Sequence, residues 1–121
     1  MTLGNALKHK IREISNEHTE IFKIREMLVI DATLTTSVNI HICIEKTENG
    51  NFLITESDIE APVRSLVIPE EFNELLMIES IHDWSEELNE LHYHIVSTKA
   101  LTAKQLLKCI KFFFTINQYF M

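Results

Sequence analysis

Val38, Ile40, Ile42 and Ile44 alternate with Asn39, His41, Cys43 and Glu45. A period of two marks a strand with one face in a core. The spacing predicts a strand over Val38–Glu45, with the four β-branched residues turned inward. Glu48-Asn49-Gly50-Asn51 follows, and an Asn-Gly pair readily supplies the positive φ of a hairpin turn. Phe52–Thr55 is the expected return strand. Upstream, Leu3, Leu7, Ile11 and Ile14 recur at helical spacing with charged residues between them, which predicts an amphipathic helix over residues 3–16. Glu20–Arg25 and Met27–Ala32 are rich in apolar and β-branched residues and read as two strands.

Beyond Thr55 the pattern changes. Ser57 and Asp58 suit the cap of a short helical segment running towards Leu66. Pro69 suits the first position of a further helix carrying Phe72, Leu75, Leu76 and Ile78, with Glu70 and Glu71 favouring its dipole. Glu90–Val96 alternates again and reads as a strand. Thr102-Ala103-Lys104-Gln105 has the form of a capping box opening a last helix over residues 102–119. The expected order is α-β-β-β-β-α-β-α. The fold class is α+β: an antiparallel sheet of about five strands with N-terminal, central and C-terminal helices, in a single domain over residues 1–121.

Composition narrows the setting. A chain of 121 residues is long enough for a hydrophobic core. It has no apolar run of about 18 residues, so no membrane span is expected. The amphipathic start predicts no secretory signal, and Met1-Thr2 no glycine acylation motif. Two cysteines far apart, Cys43 and Cys109, read as free thiols of a cytoplasmic protein.

Charge is unevenly spread. Residues 48–90 hold twelve carboxylates and one base, Arg64, whereas the last helix carries Lys104, Lys108 and Lys111 and no acid. An acidic chain of net charge −7 is a poor direct binder of nucleic acid. The acidic block instead suits a basic protein surface through summed negative potential. Its candidate contact residues are Glu56, Asp58, Glu60, Glu70, Glu71, Glu74, Asp83, Trp84, Glu86 and Glu87. Ordinary solubility charge explains the same acids, and Trp84 suits either an interface anchor or a lid over the sheet.

The last helix has an apolar arc wider than packing on one sheet requires. Burial within the chain, self-association and a foreign partner are all open; Phe112, Tyr119 and Phe120 are the residues expected nearest such an edge. Histidine supplies the remaining chemistry. His92 and His94 share one strand face, as do His41 and Cys43. If those strands were neighbours, the four groups would surround a tetrahedral zinc ion; a polar outer sheet face explains them equally. Along one strand the His41–Cys43 spacing is about 6–7 Å, long for a nucleophile pair. There is no phosphate loop, dinucleotide fingerprint or His-Glu-x-x-His helix. No catalytic residue and no cofactor is therefore expected.

The segments VNIHICIEKTENGNFLITES and NELHYHIVSTKALTAKQLLKCIKFFFTI resemble a family of small bacterial and prophage proteins catalogued as a domain of unknown function. The matching positions are Ile44–Thr47, Phe52–Glu56, Glu90–Val96 and Leu101–Ile116. The chain departs at Ser57-Asp58-Ile59-Glu60, where the family tends to an Asp-Gly turn. The resemblance implies a mobile-element setting and carries over no catalytic group. The expected function is a non-enzymatic interaction protein, an inhibitor that binds a basic surface of a host nucleic-acid-binding machine. The alternatives are a dimeric chaperone-like adaptor binding through apolar surface and a metal-dependent enzyme using the histidines.

Overall fold

The computed structural model describes residues 3–15, 18–85, 87 and 89–121, without the side chains of residues 3–5, 18 and 82–85. Helix α1 (Leu3–Ile14) precedes strands β1 (His18–Ile24), β2 (Met27–Thr33), β3 (Asn39–Lys46) and β4 (Phe52–Pro62). A 3-10 turn at Glu70–Phe72 leads into β5 (Leu76–Ser85) and β6 (Glu90–Ser97). Helix α2 (Ala103–Phe114) is followed by a 3-10 turn, Ile116–Tyr119. The fold is α+β, with a six-stranded antiparallel sheet of order β1-β2-β3-β4-β6-β5 and two α-helices.

Both helices lie on one face of the sheet. Leu7 and Ile11 of α1 and Leu106, Cys109, Ile110 and Phe113 of α2 share a core with Ile30, Ile40, Ile42, Ile44, Ile59 and Ile95 of the strands. The inward alternation expected for β3 is present: Val38, Ile40, Ile42 and Ile44 are all buried. Gly50 takes φ +81° in the hairpin turn, and its N–H donates to Thr47 O at 3.0 Å. The capping box of α2 is also formed. Gln105 N–H donates to Thr102 Oγ1 at 3.2 Å, and Thr102 N–H donates to Gln105 Oε1 at 3.0 Å.

The second half departs from the expected order. Ser57 and Asp58 do not cap a helix; they lie within the eleven-residue β4. A β-bulge opposite Cys43/Ile44 explains this. Inward positions on β4 are Phe52 and Ile54 before it, and Ser57, Ile59 and Ala61 after it. One extra residue reverses the phase of the alternation. The central helix is likewise a single 3-10 turn, and Leu76 and Ile78 begin a strand. Here too the ladder shifts register, between Ile78 and Ser80.

The link from β4 to β5 crosses over the end of α2. Phe72 packs on Phe112 with ring centroids 4.8 Å apart, and Tyr119 packs on the same ring at 5.1 Å. Tyr93 OH donates to Arg64 O at 2.8 Å and accepts from Leu66 N–H at 3.2 Å. Phe112 is buried and Tyr119 and Phe120 are half-buried. The apolar arc of α2 is thus covered largely from within the chain at Phe112, while Tyr119 and Phe120 keep part of their surface exposed.

Candidate functional site on the open sheet face

Among the described residues no helix lies on the second face of the sheet, and its chemistry follows from strand register. Across neighbouring strands, Glu20 faces Asp31, Asp31 faces His41, His41 faces Asp58, and Asp58 faces His94. One residue row therefore alternates acid and imidazole over three strand boundaries. The next row sets Asn39 opposite Glu60 and Glu60 opposite His92. Directly opposed residues have Cβ atoms about 4.5–5.5 Å apart, so these groups interact.

They do so in pairs. His41 Nδ1 makes a short contact with Asp31 Oδ1. His94 Nε2 lies 3.4 Å from Asp58 Oδ1. His92 lies between two acids, with Nδ1 3.7 Å from Glu60 and Nε2 3.9 Å from Glu90. Glu20, Asp31, Asn39, His41, Asp58 and Glu60 line a shallow depression of about 590 Å³. Glu20, Asp31, Glu45, Glu56, Asp58, Glu60 and Glu90 all occupy outward positions on this face. Among the described residues, no lysine or arginine does: Lys23 and Lys46 pair with Leu28 and Phe52, at inward positions.

The acidic block of the sequence is divided by the fold. Glu56, Asp58 and Glu60 reach the open face. Glu71 and Glu74 instead line a groove on the helix side with Lys104, Lys108 and Lys111, and Glu71 lies 3.7 Å from Lys108 Nζ. Glu70 belongs to the same 3-10 turn as Glu71. Glu87 is exposed in the β5–β6 connection. Glu86 and the side chains of Asp83 and Trp84 lie outside the described residues. Glu20 and Asp31, which precede the acidic block, join the site only through strand pairing.

The four-residue zinc arrangement is not assembled, because β4 lies between β3 and β6. Two strand spacings of about 4.8 Å each separate the His41/Cys43 strand from the His92/His94 strand. His41 and Cys43 do come together. Nε2 and Sγ are 3.4 Å apart, and Sγ is 3.8 Å from Glu56 Oε2. The side chains converge more closely than their backbone spacing suggested. Burial pushes the Cys43 thiol up to about 11 from its ordinary 9.0, with the carboxylates of Glu56 and Asp31 adding to the effect. In this state Cys43 is a protonated thiol at neutral pH and a poor nucleophile. Cys109, enclosed in α2, is likewise raised to about 11 by burial.

Comparison with protein-family models, with curated proteins and with solved structures gives no match. No helix among the described residues is long and apolar enough to cross a membrane.

Proposed function

We propose that the protein is a non-enzymatic binding module that docks a lysine- and arginine-rich segment of a partner protein on its open sheet face. The observation that carries this reading is the uniform sign of that face: seven carboxylates at outward strand positions, without a described lysine or arginine among them. A single-sign surface steers an oppositely charged partner and rejects polyanions. The depression beside Asp31, Asp58 and Glu60 gives cationic side chains somewhere to settle. A concrete form is a cytoplasmic inhibitor, from a phage or other mobile element, that occupies the basic surface of a nucleic-acid-binding protein.

Ionic strength tests the reading. A fluorescently labelled lysine/arginine-rich peptide is titrated with the full chain at low and high salt. Binding that weakens steeply as salt rises is expected, because exposed charges are screened beyond about 8–10 Å at 0.1–0.15 M salt. Affinity that holds constant with salt would favour the adaptor reading, in which apolar surface carries the contact.

A further inference from the structure

We infer that His41, Cys43 and Glu56 form a binding site for a divalent, borderline-soft cation of the zinc class, with Asp31 orienting the imidazole. The site lies on the open sheet face and shares Asp31 and Glu56 with the proposed docking surface, but its test does not depend on peptide binding.

The geometry carries the inference. Zinc takes nitrogen at about 2.0–2.1 Å, thiolate sulfur at about 2.3 Å and carboxylate oxygen at about 2.0–2.2 Å, usually in a tetrahedron. Those bond lengths give sulfur–nitrogen and sulfur–oxygen edges of about 3.6 Å. Here the Cys43 Sγ–His41 Nε2 and Cys43 Sγ–Glu56 Oε2 distances are 3.4 and 3.8 Å. All three donor atoms lie within 4.8 Å of one another. The Glu56 side chain is exposed, so its carboxylate has room to turn towards the nitrogen.

Proton accounting points the same way. The Asp31 carboxylate contacts His41 Nδ1 and thereby favours the proton there, leaving Nε2 as a lone pair facing Sγ. Glu56 presents a second acceptor to the same sulfur. One thiol proton cannot satisfy both. A cation would be held by all three donors at once, with the Cys43 proton leaving to solvent as the metal–sulfur bond forms. A carboxylate on the far nitrogen of a ligating histidine is the usual outer support of such sites. Three protein ligands leave a fourth position for water or a partner's donor atom.

The donor set selects the metal. A mixed nitrogen, sulfur and oxygen triad suits zinc and disfavours calcium and magnesium, which prefer oxygen alone.

The test uses the tag-free full chain and cobalt(II) as a spectroscopic stand-in for zinc. One cobalt per chain is expected, with sulfur-to-metal charge-transfer absorption that zinc abolishes by displacement. Cys43→Ser should remove that absorption. Glu56→Gln and Asp31→Asn should weaken binding, by about 10–100-fold for Asp31, the outer support. Cys109→Ala and a His92→Ala, His94→Ala double variant should bind as wild type does. Absence of charge-transfer absorption in the wild type would overturn the site, as would its persistence in Cys43→Ser or its loss in Cys109→Ala. Glu56 is exposed, so its variant keeps the test decisive if Cys43→Ser folds poorly; unchanged affinity there refutes the three-ligand set.

Discussion

Ser57 is fully buried on the inward side of β4, and its Oγ has no hydrogen-bond partner among the described residues. A buried, unsatisfied hydroxyl costs stability that an apolar side chain of similar size does not. Ser57→Ala is therefore expected to raise unfolding stability by ~1 kcal/mol in urea denaturation. A loss would show that the hydroxyl is satisfied. The two thiols make a second prediction. Both pKa values stand at about 11 in the folded chain, above the ordinary 9.0. The folded state thus holds these protons more tightly than the unfolded chain does. The stability they contribute is complete below pH 9 and is lost as pH climbs towards 11. Melting temperature followed from pH 8 to 11 in the presence of chelator should fall, and less steeply in Cys109→Ala. Sequence alone placed Cys43 and His41 on one face, but the convergence of Glu56 on them depends on the bulge that shifts β4, which no local pattern announces.

At the scale of elements, the first half of the fold was legible because each element keeps one period throughout. The alternation of β3, the Asn-Gly turn and the capping box each rest on chemistry a few residues long. The second half is not legible where the period is broken. On β4 the inward set passes from Phe52 and Ile54 to Ser57, Ile59 and Ala61, so the alternation breaks at Thr55 although the strand continues. Phe72, Leu75, Leu76 and Ile78 have helix-like spacing because they straddle a 3-10 turn and the start of β5. Two element-level substitutions follow. Thr102→Ala removes the hydroxyl that accepts from Gln105 N–H and should cost ~1 kcal/mol by denaturant titration. Phe112→Asp places a charge among Phe72, Phe113 and Tyr119 and should cost at least about 3 kcal/mol. Were Phe112 instead part of a subunit contact, light scattering would report a lower mass with the fold retained.

At the scale of the molecule, the fold sorts charge that the sequence only lists. The sheet has one face buried under two helices and one open. The lysine stripe of α2 meets Glu71 and Glu74 on the helix side, where opposite charges lie together. The carboxylates of β1 to β4 and β6 gather on the other side, where among the described residues their neighbours of basic type are His41, His92 and His94 rather than lysine or arginine. This sorting was not legible in the chain, because Glu20, Asp31 and Asp58 become neighbours of one row only through strand pairing.

The most direct test compares two charge-matched variants for binding of the labelled basic peptide at low salt. The first, Glu20→Gln, Asp58→Asn, Glu60→Gln, removes three of the seven carboxylates of the open face and leaves His41, Cys43 and Glu56 intact. The second, Glu70→Gln, Glu71→Gln, Glu74→Gln, removes the same charge from the helix side. The open-face variant should lose at least about tenfold in affinity, the equivalent of 1.4 kcal/mol, while the helix-side variant stays close to wild type. Equal losses would contradict the account, because net charge rather than the open sheet face would then govern binding.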